Sequence, residues 1–263
     1  MKKLLLTLLL ALTFVGCGKQ SSDLTKIKVG VSPTPHGEII EALKPEFEKE
    51  GIEVEVITFT DYVQPNLALA DKEIDLNFFQ HEPYLKEFCA SRNLDLVNIG
   101  GIHLEPIGFY SKKVKSIEEL QDGAEIIIPN DPTNGIRALR LLQDAGLIKL
   151  RDYNDDNQTE KDVVENPKNI KITAVDANAV AKAYEDVDGG VINSNYAIGA
   201  GLHPKTDAIV VEKTEGNPNV NIIAARAEDK DNELYKKFVK VLQSEACKKF
   251  INEKYDGAVI PSF

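Results

Sequence analysis

From residue 26 onward, short strand-like runs alternate with stretches of helical spacing, and that order restricts the chain to an α/β fold. Residues 26–32 (KIKVGVS) form an apolar-rich run ending in small residues. In 36–50 the apolar Ile39, Ile40, Leu43 and Phe47 share one helical face, and Gly51 supplies the stop. Residues 53–59 (EVEVITF) alternate as a strand does. Asp61 is placed to cap a helix reaching about Ala70. Residues 74–79 (IDLNFF) predict a third strand, 82–92 a helix and 94–99 a fourth strand. The βαβαβαβ order predicts a parallel sheet with helices on both faces.

After an extended segment at 103–111, a second unit of the same kind opens at 112–120. Strands are predicted at 125–129, 170–174, 190–193, 208–211 and 220–225. Helices are predicted at 131–145, 177–185, from 194 to about 200, 234–243 and 245–253. Residues 151–169 are polar, without strong pattern, and read as a loop or short excursion. The 263 residues suffice for two modest α/β lobes.

The N-terminus follows different rules. Lys2 and Lys3 precede an apolar run from Leu4 to Val15, then Gly16 and Cys17, the order of an export signal. The run is shorter than the roughly 20 apolar residues a membrane span needs. Phe14-Val15-Gly16-Cys17 resembles the lipobox of bacterial lipoproteins, with Phe14 in place of the usual Leu, so Cys17 is the expected lipidation site. Plain signal cleavage nearby is the alternative. The net charge of −11 disfavours nucleic acid and anionic membrane surfaces as partners. Cys89 and Cys247 allow either a disulfide or two buried thiols, and no Cys/His cluster has zinc spacing.

No hydrolase elbow, zinc-protease helix or phosphate-binding loop is present in the sequence. What recurs instead is a scatter of aromatic, Asn and Arg residues at predicted strand ends: Tyr62 and Asn66; Phe79, His81 and Tyr84; Asn134 and Arg137; Asn193 and Tyr196. In open α/β sheets the carboxyl ends of parallel strands are where ligands bind. These residues suit a zwitterion with an apolar side chain. Arg137 offers a two-pronged clamp for a carboxylate, Asn side chains both donate and accept, and Tyr62, Phe79, His81 and Tyr84 can wall an apolar slot. Aromatic contacts favour a thioether by about 0.3–1.5 kcal/mol each. Taken singly, each has an ordinary structural reading: a strand core position, a turn, a solvated arginine. Their shared placement at strand ends carries the inference.

The stretches DYVQPNLAL (61–69), FQHEPYL (79–85), SKKVKSIEELQDG (111–123), PNDPTN (129–134), LLQDAGLIKL (141–150), DVVENPKN (162–169), VINSNYA (191–197) and NPNVNIIAAR (217–226) resemble the NlpA/MetQ family of methionine-binding lipoproteins. The resemblance implies a type II periplasmic binding protein fold, two α/β lobes joined by two crossover hinge strands. It implies a signal peptide at 1–16, a tether at 17–25, lobe one at 24–107 plus 221–263, and lobe two at 108–220. It implies a lipid-anchored, extracytoplasmic protein that captures methionine, L and also D, for an ABC permease and ATPase. It implies no enzymatic activity, cofactor or metal. By position, Tyr62, Phe79, His81 and Tyr84 would enclose the thioether. Arg137, with Asn134 beside it, would hold the carboxylate, and Asn193 and Asn221 would fix the polar end. Gly135-Ile136 and His203 depart from the family pattern.

A methionine-containing dipeptide or another amino acid is the nearest alternative ligand. An exported enzyme would need a nucleophile and base in the cleft, which the sequence does not offer. A surface adhesin with a vestigial cleft would bind no small molecule.

Overall fold

The computed structural model describes residues 24–263; the export signal 1–16, Cys17 and all but the end of the tether 17–25 lie outside the described residues. The chain begins with β1 (Thr25–Val31), α1 (Glu38–Lys49), β2 (Ile52–Thr58), α2 (Gln64–Ala70), β3 (Leu76–His81), α3 (Glu82–Arg92) and β4 (Leu96–Leu104). After a three-residue connection it enters a second unit with β5 (Gly108–Tyr110), β6 (Glu125–Pro129), α4 (Pro132–Asp144), the short pair β7 (Lys149–Leu150) and β8 (Val163–Glu165), and β9 (Lys171–Val175). This unit continues through α5 (Ala177–Ala183), β10 (Gly189–Ile192), α6 (Ser194–Gly199), α7 (Pro204–Asp207) and β11 (Val210–Val211). The chain then returns to the first unit as β12 (Val220–Arg226), α8 (Glu233–Leu242), α9 (Glu245–Tyr255) and β13 (Ile260–Pro261).

The order of elements predicts a parallel first sheet, and the sheet is mixed instead. Its order is β13-β4-β12-β3-β1-β2. β1 runs parallel to β2 and β3, but β12 inserts between β3 and β4, antiparallel to both. The cause is the return crossing: β12 arrives from the second unit and so runs against the strands that led away. The second sheet has the order β11-β5-β10-β6-β9, with β6 parallel to β9 and β10, and β5 antiparallel to β10 and β11. The polar stretch 151–169 is partly ordered, since its β8 pairs with β7.

Each sheet carries its own core. On the first, Ile39, Ile40, Leu43 and Phe47 of α1 are buried as their spacing predicts, and Phe47 stacks on Phe238 of α8 at 4.6 Å between centroids. On the second, Ile136, Leu139 and Leu142 of α4 pack over Ile126 and Ile128 of β6. Two glycines are fixed by close approach. A Cβ at Gly189 would lie 2.3 Å from Phe109 Cζ, and one at Gly100 would lie 2.4 Å from Val239 Cγ1. Cys89 and Cys247 are free thiols, the second fully buried on the inner face of α9.

Two connections join the sheets: 105–107, from β4 to β5, and 212–219, from β11 to β12. They run side by side, with the Glu212 N–H donating to the Ile107 carbonyl at 2.9 Å.

Candidate ligand-binding site

Local sequence rules set the approach to the cleft. Asp61 does not cap α2 directly. Its Oδ1 accepts from the N–H groups of Val63 and Gln64, both at 2.8 Å, a local turn that delays the helix to Gln64 and leaves Tyr62 on the rim. α3 and α4 both begin at the cleft on a side-chain cap followed by proline. His81 Nδ1 accepts from the Tyr84 N–H at 3.2 Å, and Asp131 Oδ1 accepts from the Asn134 N–H at 2.9 Å.

β3 is buried along its whole length and carries a bulge. Ile222 of β12 pairs with Gln80 and Ile223 with Phe78, so Phe79 has no partner. A bulge re-aims side chains. Phe78 packs edge-on against His36 at 4.6 Å, within the first core. Phe79 instead joins Tyr62 and Tyr84, the three ring centroids lying 5.8–6.1 Å apart. Gln80 and Asn77 meet the Asn66 amide in a closed network of bonds at 2.7–2.9 Å beneath this wall.

All eight residues that the sequence offered as ligand contacts line one narrow cavity between the sheets: Tyr62, Phe79, His81, Tyr84, Asn134, Arg137, Asn193 and Asn221. The sequence reading did not single out Gln80, Glu105, Ser194 and Asn195, which line it too. Gln80 and Asn195 sit inside stretches already noted. Glu105 had its own signal, a lone carboxylate inside the extended run 103–111, directly before Pro106. His203 lies elsewhere, capping α7 through its Nδ1. Gly135-Ile136 faces away from the ligand chemistry. Ile136 is core, and a Cβ at Gly135 would come within 3.1 Å of the Pro129 carbonyl oxygen.

Hydrogen-bond logic fixes what each polar group presents. The Asp131 carboxylate accepts from Asn134 Nδ2 at 3.0 Å, so Asn134 Oδ1 faces the cavity. That oxygen accepts from His81 Nε2 at 3.2 Å and from Asn193 Nδ2 at 2.8 Å. His81 is thereby set as the Nε2–H tautomer, because its Nδ1 is occupied as an acceptor. Asn193 Oδ1 is left buried and without a protein partner among the described residues. A second chain starts at Ser32. Its hydroxyl donates to His36 Nδ1 at 3.0 Å, and His36 Nε2–H donates to Asn221 Oδ1 at 3.0 Å, which turns Asn221 Nδ2 outward as a donor.

Arg137 is 6% exposed. Its Nε and Nη2 pair with the Glu212 carboxylate at 2.7 and 2.5 Å, and Nη2 also donates to the Glu105 carbonyl at 2.6 Å. Nη1 has no protein partner among the described residues. Burial raises the carboxyl pKa of Glu105, with His36, Arg137 and the Asn195 backbone N–H pulling it back. Burial also lowers His36 to about 4, and His81 and His103 to about 3, so all three imidazoles are neutral near pH 7.

His36, His103 and Glu105 bring three donor atoms within 4.8 Å of one another, a spacing a divalent cation can bridge. Their contacts describe a hydrogen-bonded cluster instead. Nε2 of His103 and Nε2 of His36 both reach Glu105 Oε1, at 2.7 and 3.2 Å, and the Arg137 charge lies close by.

The two sides of the cavity are tied to each other. Tyr62 Oη donates to Asn195 Oδ1 at 2.6 Å, Tyr196 Oη donates to the Thr60 carbonyl at 3.3 Å, and Ser194 Oγ donates to the Pro106 carbonyl. Two α/β lobes, crossed twice by the chain and closed over a polar-ended, aromatic-walled cavity, define a type II periplasmic binding protein.

The sequence model of the family described as NlpA lipoprotein matches residues 27–263. The chain is 44% identical over 272 residues to the methionine-binding lipoprotein MetQ of Bacillus subtilis (strain 168), covering 99% of each. It is 44% identical over 253 residues to the D-methionine-binding lipoprotein MetQ of Escherichia coli (strain K12), covering 95% of this chain and 93% of the relative. A nutrient binding protein from Burkholderia cenocepacia, solved bound to methionine, superposes with a TM-score of 0.87 at 45% identity, over 90% of this chain and 100% of that one. The chain belongs to the NlpA lipoprotein family.

Proposed function

We propose that this protein captures methionine between its lobes and presents it to an ABC permease and ATPase, held at the extracytoplasmic face by lipid on Cys17. The lobes are 24–107 with 221–263, and 108–220, and the connections 105–107 and 212–219 are the hinges.

The observation that carries this reading is the sorting of donors and acceptors around the cavity. Among the described residues Arg137 Nη1 and Asn221 Nδ2 are donors without protein partners, suited to a carboxylate. Asn193 Oδ1 and the Glu105 carboxylate are acceptors, suited to an ammonium. The rings of Tyr62, Phe79 and Tyr84 form an apolar end for the thioether. The set matches a zwitterion with a soft apolar side chain. No nucleophile and base are paired within it, so the role is capture without covalent chemistry. Among the described residues no helix is long and apolar enough to cross a membrane. The anchor of this reading is acyl chains on Cys17.

Native mass spectrometry of the purified chain, followed by calorimetric titration with L- and D-methionine, tests this. Tight one-to-one binding is expected. A stripped protein that binds neither enantiomer rejects methionine as the ligand while leaving the fold intact.

A further inference from the structure

Asn195 lines two cavities at once: the one just described and a larger one of about 390 Å³ on its outer side. The outer cavity is built from both lobes, with Thr34 and Thr60 facing Asn178, Lys182 and Tyr196. Between the two stands a thin wall. Asn195 Oδ1 holds the Tyr62 hydroxyl at 2.6 Å, the Tyr62 and Tyr196 rings lie 5.0 Å apart, and Tyr196 is fixed to the Thr60 carbonyl at 3.3 Å.

The wall stands at one particular end of the inner cavity. Asn195 lines the cavity together with Glu105 and Asn193, and Glu105 with Asn193 is the acceptor end, where an ammonium would sit. A free amino acid ends there. A dipeptide with methionine as its second residue keeps the carboxylate for Arg137 and the thioether for the aromatic wall. Its α-nitrogen, however, is an uncharged amide with a further residue attached. That residue has to pass the point where the Asn195 side chain meets Tyr62, and beyond that point lies the outer cavity.

Resting on the methionine reading, we propose that Asn195 restricts this site to a free amino acid, and that shortening its side chain joins the two cavities into a site for a dipeptide carrying methionine at its C-terminus. The contact to Tyr62 closes the amino end against extension. The space needed for the extra residue already exists behind it, of a size typical of small-molecule sites, with Thr34, Thr60, Asn178 and Lys182 on an otherwise largely apolar lining.

The test is calorimetric titration of wild type and Asn195→Ala with methionine, glycyl-methionine and methionyl-glycine. Wild type is expected to prefer methionine over glycyl-methionine by at least about 100-fold, since the dipeptide leaves Glu105 and Asn193 without an ammonium. Asn195→Ala is expected to narrow that ratio by about tenfold or more, one rotamer-rich obstacle and its buried bond being removed. Methionyl-glycine, which displaces the carboxylate from Arg137, stays excluded from both. Tyr196→Ala breaches the same wall and is expected to narrow the ratio too, so a poorly folding Asn195→Ala does not decide the matter. A wild type that takes glycyl-methionine as tightly as methionine overturns the proposal. So does an unchanged ratio in folded Asn195→Ala or Tyr196→Ala, with the methionine reading left standing. A wild type that binds neither ligand overturns the methionine reading and the restriction with it.

Discussion

Arg137 and Glu212 meet in a two-pronged pair, Nε to Oε1 at 2.7 Å and Nη2 to Oε2 at 2.5 Å. Glu212 belongs to the connection that leaves β11, and the Glu105 carbonyl, which Nη2 also reaches, belongs to the other connection. One guanidinium therefore joins helix α4 to both hinges and still has Nη1 for a ligand. Lysine has a single point of charge and cannot hold three partners in this geometry. Arg137→Lys is expected to weaken methionine binding by roughly 10- to 100-fold, about 1.4–2.7 kcal/mol. Calorimetry reads this directly, and an unchanged dissociation constant would contradict the carboxylate role.

Glu105 faces the cavity at its acceptor end and is bonded by two neutral imidazoles. Glu105→Gln keeps the shape and removes the charge an ammonium needs. Methionine should bind at least about tenfold more weakly, a charge-assisted bond contributing about 1.5–3 kcal/mol. 4-Methylthiobutanoate, which lacks the ammonium, should lose little. If both ligands weaken equally, Glu105 serves the fold and not the ammonium.

The Tyr62 hydroxyl spans from one lobe to the other through Asn195. Tyr62→Phe keeps the ring against Phe79 and Tyr84 and deletes that bond. The expected loss is about 1 kcal/mol, roughly fivefold, appearing as faster dissociation because the closed form loses a tie. Stopped-flow fluorescence separates the rates. A slower association with unchanged dissociation would place the bond elsewhere in the cycle.

Three buried histidines make stability depend on pH. His36 is held at about 4 and His81 and His103 at about 3, each from an ordinary 6.5, chiefly by burial. Below pH 6.5 the unfolded chain takes up protons that the folded one refuses, so stability falls as pH drops from about 6.5 toward 4. Each histidine contributes up to about 1.4 kcal/mol per pH unit across that window. Glu105 and Asp131, raised by burial, take protons first in the folded state and offset part of the fall at its acid end. Urea unfolding at pH 7 and pH 5 measures the slope, which His103→Gln should reduce. Equal stability at both pH values would mean that these imidazoles are not held neutral.

Much of the fold was legible because local rules dominate it. The helix over 82–92 and the strand over 125–129 appear at the residues that their caps and periodicity indicate, His81-Glu82-Pro83 and Asp131-Pro132 marking starts that the backbone obeys. The sheet order was not legible. Nothing local tells β12 to enter between β3 and β4, since that placement is set by where the chain returns after the whole second unit. The cavity shows the same division. Its eight expected residues lie in quotable stretches at strand ends and come together as a group. Glu105 and Glu212, by contrast, acquire their roles from contacts across the hinges, with Arg137 and with His36, that no spacing along the chain encodes. The Phe79 bulge belongs with them, because simple alternation leaves open which of Phe78 and Phe79 is core, and the extra residue in β3 decides it.

Soaking or co-crystallising the protein with selenomethionine as the free ligand would test the binding pose most directly, because the anomalous selenium signal marks the chalcogen. The proposed pose places that peak among the rings of Tyr62, Phe79 and Tyr84, with the carboxylate density on Arg137 and the ammonium between Glu105 and Asn193. A selenium peak at the Arg137 end, or outside this cavity altogether, would contradict it.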